Sequence, residues 1–424
     1  KDDALVGAVR FHDAQIDDAR HTVAVARTAA AHGAAIANRT SVVRLIREDG
    51  RVVGAVIRDE LTGREFDVRA RVVLGAAGVW TDDLLEMAGA ASQHAVRQSK
   101  GIHLVVPREA FPSTSALIAR TPTSVLFLLP WGRHWLIGTT DTDYSGPRSE
   151  PQVDEADVEY LLAEANKWLA KPLTRDDVVG VYSGLRPLLS AGTQEDGTAT
   201  LSREHAVLRP APGLVLIAGG KYTTYRVMAA DAVDAAVTSR AEVVTDIVPP
   251  SKTDELPLVG AAGYAAAWAT RERTAREAGL SLAAVEHLLR RHGDRARTVL
   301  DLIASDPKLA APMHPDSPYL LADGVVAITR EGALGLDDVL VRRTRLALET
   351  RGGGVDVAAS VAEVLAPYAN WDEADIAEQV AVVAQRRDAL QPVPGGQAAK
   401  QVVAVDDSEF PGARVEAALL EDVE

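Results

Sequence analysis

Cysteine is absent from this sequence, which excludes disulfide bonds, thiolate catalysis and metal sites with cysteine ligands. Aromatic residues make up only 4% of the chain. No apolar run approaches the roughly 18 residues needed to span a bilayer, and no signal peptide is visible. Basic residues are outnumbered by acidic ones, 45 to 60, for a net charge of −15. Because a chain with this net negative charge has no overall positive potential to attract the phosphates of a nucleic acid, general nucleic-acid binding is excluded.

What is present is the composition of a globular protein, with 47% hydrophobic and 25% charged residues among 424. A chain of this length predicts two or three domains. No spacing of histidine, aspartate and glutamate suggests a metal site, so we expect none. The first residue is Lys1 rather than methionine, and we expect the chain to begin inside a longer product.

The segment from Leu214 to Ala230, LVLIAGGKYTTYRVMAA, is the most informative stretch of the chain. A short apolar run precedes two glycines, a polar cluster and an alanine-rich periodic segment. This order of strand, glycine turn and helix start directs the helix N-terminus at a ligand. The alternative interpretation is a plain strand-to-helix turn with a threonine cap.

The first 90 residues show the patterns of a mixed α/β segment. They predict a helix over Asp17 to His32 and a short strand over Ala34 to Thr40. A β-hairpin follows over Ser41 to Arg58, with its turn at Glu48-Asp49-Gly50. A pair of strands over Phe66 to Leu74 and a helix over Thr81 to Met87, capped by Thr81, complete the segment. The second strand of the pair ends in small residues, Gly75 to Gly78, where backbone could approach a ligand.

From residue 91 to residue 210 short β-rich runs dominate, interrupted by one amphipathic helix over Asp154 to Leu169. After Pro250 the pattern is helical, with Ser281 as one cap and an Asn370/Glu373 capping box as another. From Pro392 onward the periodicity is weak, and we expect a partly disordered tail.

Several strings together resemble FAD-dependent, aerobic-type glycerol-3-phosphate dehydrogenases. They are SKGIHLVVP (Ser99 to Pro107), GTTDTDY (Gly138 to Tyr144), YSGLRPLL (Tyr182 to Leu189), GGKYTTYRVMA (Gly219 to Ala229) and EGALGLDDVLVRRTRLALE (Glu331 to Glu349). The resemblance covers roughly residues 10 to 390. It implies an α/β and α+β fold, with a glutathione-reductase-type FAD-binding domain, an inserted antiparallel-sheet substrate domain and a C-terminal helical domain.

The resemblance also implies domain boundaries. These are residues 1–90 for part of the FAD-binding domain, 91–210 for the substrate domain, 211–248 for the return strand and helix of the FAD-binding domain, 249–391 for the helical domain, and 392–424 for the tail. One departure is serious, since the G-x-G-x-x-G fingerprint that binds the FAD pyrophosphate occurs nowhere in the sequence. We therefore expect the FAD-binding domain to be incomplete, without its first βαβ unit.

The reaction implied by the resemblance is oxidation of sn-glycerol 3-phosphate to dihydroxyacetone phosphate, with hydride transfer to FAD and electrons passed to a quinone. Three alternatives stay open. One is a glycerol-3-phosphate oxidase that reduces oxygen, and another is a non-catalytic truncated chain that serves as a binding module. The third is an unrelated amino-acid oxidase of the same superfamily, against which the YSGLRPL and GGKYTTYR strings argue.

Three residues are the candidates for catalysis and substrate binding. Arg186 offers bidentate donors for the substrate phosphate in an otherwise acidic chain; its alternative is a surface arginine beside a proline turn. Lys221 follows the glycine pair, where an ammonium could hold the phosphate, polarise the hydroxyl or act as a base; its alternative is a solvated lysine at the start of a helix. His103 titrates near neutral pH and could accept the hydroxyl proton, although a half-buried structural histidine is the alternative.

The cofactor contacts implied by the resemblance fall on two groups of residues. Backbone N–H groups near the flavin edge come from Gly219, Gly220, Tyr222, Thr223 and Thr224. Contacts to the adenosine and pyrophosphate halves come from Val42, Ala77, Gly78 and Trp80.

The expected partners are glycerol 3-phosphate and a quinone acceptor, with no nucleic acid. A membrane surface and a second copy of the chain stay open as partners. The expected location is the cytoplasm, including attachment to the inner face of the cell membrane.

Overall fold

The described part of the chain contains three separate sheets and a helical C-terminal region. The computed structural model describes residues 7–90, 95–121, 124–190, 204–241 and 248–389. The tail expected to be partly disordered, from Pro392, lies outside these residues, as do residues 198–203 of the strand pattern expected before Arg209.

The strands fall where alternating or apolar runs occur in the sequence. Their bounds are β1 Thr40–Glu48, β2 Arg51–Asp59, β3 Glu65–Arg69, β4 Val73–Gly75, β5 Ala95–Pro107, β6 Leu117–Arg120, β7 Val125–Trp131, β8 His134–Gly138, β9 Thr142–Asp143, β10 Gly180–Ser190, β11 His205–Ala211 and β12 Leu214–Gly219.

The sheets have distinct topologies. One is the antiparallel meander β1-β2-β3, and a larger antiparallel sheet has the order β10-β5-β8-β7-β6 with β9 beside β5. The third has the order β11-β12-β4, in which β12 and β4 run parallel. Because β4 precedes the large antiparallel sheet in the chain and β12 follows it, that sheet is an insertion within the third one.

The helices are concentrated after residue 260. Their bounds are α1 Asp18–Ala31, α2 Thr81–Met87, α3 Glu155–Asn166, α4 Tyr225–Ala241, α5 Tyr264–Ala269, α6 Arg271–Ala278, α7 Leu282–His292, α8 Ala296–Ser305, α9 Leu321–Glu331, α10 Leu346–Glu349, α11 Val355–Ala369 and α12 Glu373–Ala389. Helices α5 to α12 share one apolar core, which includes the fully buried Leu288, Val325 and Leu365. None of the described helices is both long and apolar enough to cross a membrane.

Some local predictions are confirmed and others are wrong. The hairpin is confirmed: Glu48 pairs with Arg51, and the two turn residues Asp49 and Gly50 have positive φ, as a two-residue hairpin turn requires. No strand covers residues 34–39, since β1 begins only at Thr40.

Two predicted helix caps are wrong. Thr81 is the first residue of α2 rather than its cap, because a 3₁₀ turn over Gly78–Trp80 precedes it and its hydroxyl donates to the Gly78 carbonyl. Asn370, with φ of 56°, ends α11. Asp372 instead caps α12, since its carboxylate accepts from the N–H of Ala374.

A buried charge cluster attaches α1 to the helical region. Arg20 of α1 donates to both carboxylate oxygens of Glu331, at 2.7 Å for the longer bond, and His292 contacts Asp323 at 2.6 Å. The side chain of Glu331 is 1% exposed. Burial favours a raised pKa for Glu331, but the hydrogen bond and charge of Arg20 outweigh it and lower the pKa to about 2. Arg20 and Glu331 are therefore an ionised pair inside the protein.

Candidate active site

Strands β5 and β10 bring two of the three predicted catalytic residues onto one face of the large sheet. In their register Tyr182 lies opposite His103, and Arg186 lies opposite Ser99. Side chains of a strand alternate between faces, so residues two and four apart share a face. His103, Tyr182, Ser99 and Arg186 therefore point to the same side.

Arg186 is held by groups from three segments of the chain. Its guanidinium donates to the Thr139 hydroxyl at 2.9 Å, to the Thr140 carbonyl at 3.2 Å and to the Ser99 hydroxyl at 3.4 Å. The Asp141 carboxylate lies 4.0 Å away. The side chain is 28% exposed. These contacts fix the position of the arginine, and its side chain is still partly exposed on this face.

His103 is held between an aromatic ring and a glycine. Its imidazole stacks on Tyr182, with ring centroids 5.0 Å apart and planes 8° apart. On the other side, a Cβ at Gly138 would come within 2.4 Å of His103 Cδ2, so only glycine admits the ring there. Among the described residues neither the imidazole nitrogens nor the Tyr182 hydroxyl has a hydrogen-bond partner. These polar atoms are available to a ligand.

The surroundings of His103 favour its neutral form. Burial, and after it the positive charge of Arg186, lower the pKa of His103 to about 4. A neutral imidazole has a lone pair that can accept a proton. At neutral pH His103 is therefore in the protonation state that a general base requires.

This pKa shift predicts how stability depends on pH. The native pKa of about 4 lies below the ordinary 6.5 of His103, so the unfolded chain binds a proton first as pH falls. We expect the stability contributed by the neutral imidazole to be lost between pH 6.5 and about 4, and to change little above or below. Denaturant unfolding at a series of pH values measures this loss.

A variant distinguishes the contribution of His103 to this pH dependence from those of the other histidines. Burial lowers the pKa of His287 to about 4 as well, and it lowers the pKa of His134 and His292. His103→Asn is therefore expected to remove part of the pH dependence, and His103→Asn with His287→Asn a larger part. An unchanged pH dependence in the single variant would contradict the shift of His103.

Lys100, the neighbour of Ser99, does not reach this face. Its ammonium lies 2.5 Å from Asp154 and 2.7 Å from Asp157, and the side chain is 2% exposed. Burial opposes the charged form, but the hydrogen bonds to the two carboxylates outweigh it and raise the pKa of Lys100. The lysine is a buried structural cation that links β5 to the start of α3.

The loop after β12 has the backbone geometry expected of a ligand-binding turn. Gly219 and Gly220 have φ of 72° and 91°, and a Cβ at either would lie within 2.6 Å of another atom. Lys221 is exposed and precedes a 3₁₀ turn over Tyr222–Thr224 that continues into α4. Within the described residues, the N–H groups of Tyr222 and Thr223 donate to no backbone carbonyl. They can donate to a bound group.

Helix α1 supports this loop, although no sequence pattern indicated it. His21 Nδ1 lies 2.7 Å from the Tyr222 hydroxyl, and its Nε2 lies 3.1 Å from the Tyr225 hydroxyl. The Tyr222 hydroxyl also donates to the Asp18 carbonyl at 3.2 Å. One imidazole thus connects both tyrosines of the GGKYTTYR string to α1.

A cavity of about 660 Å³ joins the sheet to the loop. His103 and Tyr182 line it from the sheet, and Tyr222 lines it from the loop. From the helical region it is lined by Arg345, whose guanidinium lies 4.0 Å from the ring centre of Trp131. Arg186 and Lys221 are not among the lining residues. No sequence pattern indicated Trp131 or Arg345.

The remaining predicted cofactor residues lie at the turn after β4 and on the first sheet. The 3₁₀ turn of Gly78–Trp80 packs against β10 and β12, which places Ala77 and Gly78 next to the strand that carries the loop. Trp80 is 43% exposed, and Val42 on β1 is 40% exposed. Both side chains are therefore accessible from solvent. No group of three potential metal ligands occurs in the described parts of the chain.

Comparison with known proteins identifies the family. The model of FAD dependent oxidoreductases matches residues 1–230, and the model of the C-terminal domain of alpha-glycerophosphate oxidase matches residues 251–376. This chain belongs to the FAD-dependent oxidoreductase family. The match covers β1 to β12 and the loop after β12, so the sheet face and the loop described above both belong to the family's part of the chain.

Individual relatives of this oxidoreductase narrow the resemblance within the family. It is 48% identical over 381 residues to glycerol-3-phosphate dehydrogenase 2 of Mycobacterium tuberculosis, covering 90% of this chain and 64% of the relative. It is 34% identical to the human mitochondrial glycerol-3-phosphate dehydrogenase, covering 89% and 53%. The chain thus spans less than two thirds of the length of these curated relatives. The resemblance drawn from the sequence motifs is confirmed.

A solved structure supports the fold. Glycerol-3-phosphate dehydrogenase from Bacillus halodurans, complexed with FAD, superimposes with a TM-score of 0.77 at 28% identity, covering 88% of this chain and 73% of the other. The predicted fold class, with mixed helix and sheet and a C-terminal helical domain, is confirmed. The domain boundaries and the individual site residues stay predictions.

Proposed function

We propose that this oxidoreductase converts sn-glycerol 3-phosphate to dihydroxyacetone phosphate with FAD. The observation that carries the proposal is the common face of β5 and β10, which presents a neutral imidazole at His103 and a guanidinium at Arg186. A secondary alcohol with a phosphate at one end needs a base for the hydroxyl proton and a cation for the phosphate. The names of the curated relatives support the same substrate.

The described residues fit the flavin end of FAD. The loop of Gly219 and Gly220 allows close backbone approach, and the free N–H groups of Tyr222 and Thr223 can donate to the flavin carbonyl edge. The sequence contains no G-x-G-x-x-G string for the pyrophosphate. Val42, Ala77, Gly78 and Trp80 are the residues we propose for the other half of the cofactor.

The steps of the proposed reaction are assigned to the flavin, Arg186, His103 and Lys221. When bound, the flavin ring supplies the acceptor for the C2 hydrogen and its electron pair. We assign the phosphate to Arg186, which fixes the distance of C2 from the base. His103 accepts the hydroxyl proton as the C2–O bond becomes a carbonyl. Lys221, exposed at the start of the loop, is the second candidate base and otherwise polarises the reacting oxygen.

We propose a quinone as the electron acceptor, because the relatives are named dehydrogenases, with oxygen as the alternative. A quinone dissolved in lipid requires approach to a membrane surface, so we propose a peripheral position there. The cytoplasmic location and the homodimer stay predictions of the resemblance.

The test is anaerobic titration of the flavin-loaded protein with glycerol 3-phosphate, followed by the visible absorbance of oxidised flavin. We expect the band to bleach with glycerol 3-phosphate and to persist with glycerol, which lacks the phosphate. Recovery of the band with a soluble quinone but not with oxygen would support the dehydrogenase. A protein that carries flavin and does not bleach would contradict the proposed substrate, and a protein unable to bind flavin would support the binding module.

A further inference from the structure

A pair of glycines separates the two functional groups on the sheet face. In the β5–β10 register Gly184 lies opposite Gly101, between the Tyr182–His103 pair and the Arg186–Ser99 pair. All three pairs share one face because they are two residues apart. The strip of sheet between the imidazole and the guanidinium therefore has no side chains.

The two glycines have different surroundings. A Cβ at Gly101 would lie 2.4 Å from Nη2 of Arg186 and 2.7 Å from the Thr139 hydroxyl. Gly101 is thus covered by Arg186 and is required for its position. A Cβ at Gly184 would meet no atom of the described residues within 4 Å. With respect to these residues the space above Gly184 is open, and none of them requires glycine there.

The backbone does not require glycine at Gly184 either. It lies within β10 and is not among the glycines with positive φ. In a strand interior glycine costs stability, since it loses more conformational freedom on folding than other residues. Glycine inside a strand often marks a bulge, a bend or a position where a ligand approaches closely, and the β5–β10 register is unbroken at Gly184.

We propose that Gly184 is a specificity-determining residue. Because it has no side chain, it leaves space between His103 and Arg186 for the carbon chain of a short phosphate monoester. The inference rests on the proposed function, and it adds which residue limits the size of the substrate's carbon chain. A molecule whose hydroxyl reaches His103 and whose phosphate reaches Arg186 has to cross this strip. A methyl group at position 184 occupies the volume of that chain.

The test is Gly184→Ala in the flavin-loaded protein, compared with wild type for the KM of glycerol 3-phosphate and for inhibition by inorganic phosphate. We expect the KM to rise on the order of tenfold, the effect of one extra methyl group in a filled site. We expect inhibition by inorganic phosphate to be unchanged, because phosphate alone needs Arg186 and not the strip above Gly184.

Two further variants make the result specific. Gly101→Ala displaces Arg186 and is expected to weaken both glycerol 3-phosphate and inorganic phosphate. Gly7→Ala, where a Cβ also meets nothing within 4 Å, is the matched control and is expected to change neither constant. Cooperative thermal unfolding of Gly184→Ala at or above the wild-type temperature establishes that the variant folds.

An unchanged KM in a folded Gly184→Ala protein would overturn the inference, as would equal losses for substrate and inorganic phosphate. Failure of the proposed function is distinct from these results, since the wild-type protein would then not oxidise glycerol 3-phosphate at all.

Discussion

Replacing Arg186 with lysine is expected to lower kcat/KM for glycerol 3-phosphate by about 100-fold or more, since two hydrogen bonds to a charged group together contribute about 3 kcal/mol or more. Lysine keeps the charge but loses the planar fork that the Thr139 and Thr140 contacts hold in place. The loss is expected in both KM and kcat, because a phosphate held by a point charge no longer fixes C2 at its distance from His103. Steady-state kinetics with saturating acceptor measures both constants.

The control for this variant is Arg209→Lys. Arg209 is an exposed arginine of β11, so the exchange keeps the net charge and changes no described contact. We expect its kcat/KM to stay near the wild-type value. If Arg186→Lys also stays within about threefold of wild type, Arg186 does not hold the phosphate by two parallel hydrogen bonds.

The largest stability effect is expected at Arg20. Its removal by Arg20→Met leaves Glu331, with a side chain 1% exposed, without its main partner. An uncompensated buried charge costs about 3–5 kcal/mol, and we expect the free energy of unfolding to fall by that amount. Equilibrium unfolding in urea, followed by circular dichroism, measures the change.

Two comparisons isolate the buried charge as the cause. Arg58 pairs with Glu65 on the surface, where both side chains are more than 40% exposed, at 44% and 45%; Arg58→Met is expected to cost about 1 kcal/mol or less. Adding Glu331→Gln to Arg20→Met is expected to recover part of the loss, because the group left unpaired is then neutral. Arg27 also lies 3.7 Å from Glu331, so a loss at Arg20 as small as that at Arg58 would contradict the claim that Arg20 is the main partner of this carboxylate.

Local patterns in the sequence predicted local structure well. The Asp-Gly turn predicted the hairpin because those two residues adopt the positive φ that the turn needs. The Leu214–Ala230 segment predicted β12, the glycine turn and α4, because an apolar run, two glycines and a periodic helix differ strongly in composition. The wrong caps, at Thr81 and Asn370, came from residue types that fit several positions near a helix end.

The environment of the candidate site depended on contacts that are distant in the chain. Arg186 was predicted from its type and motif, but its partners Ser99, Thr139 and Thr140 follow from strand register, which the sequence does not state. The burial of Lys100 and its pairing with Asp154 and Asp157 likewise depend on the tertiary fold, since a lysine on a strand shows no sign of its own burial. The same limit applies to Gly184, which in the sequence is one small residue inside the YSGLRPLL string.

His21 was missed for a related reason. A single histidine on the alanine-rich helix α1 has no pattern around it, and its partner Tyr222 lies 201 residues further along the chain. Tyr182 lies within a string that was noted, but its stacking on His103 depends on the pairing of two strands. Pairings of this kind are set by the tertiary fold and are not visible in a short sequence window.

The adjacent residues Arg20 and His21 give α1 a mechanical role. Arg20 is bonded to the helical region through Glu331, and His21 is bonded to the tyrosines of the loop after β12. Since neighbouring residues of a helix keep a fixed angle to each other, the two attachments cannot move independently. Because both attachments lie within one turn of α1, we expect a rotation or shift of the helical region to displace the loop after β12 as well.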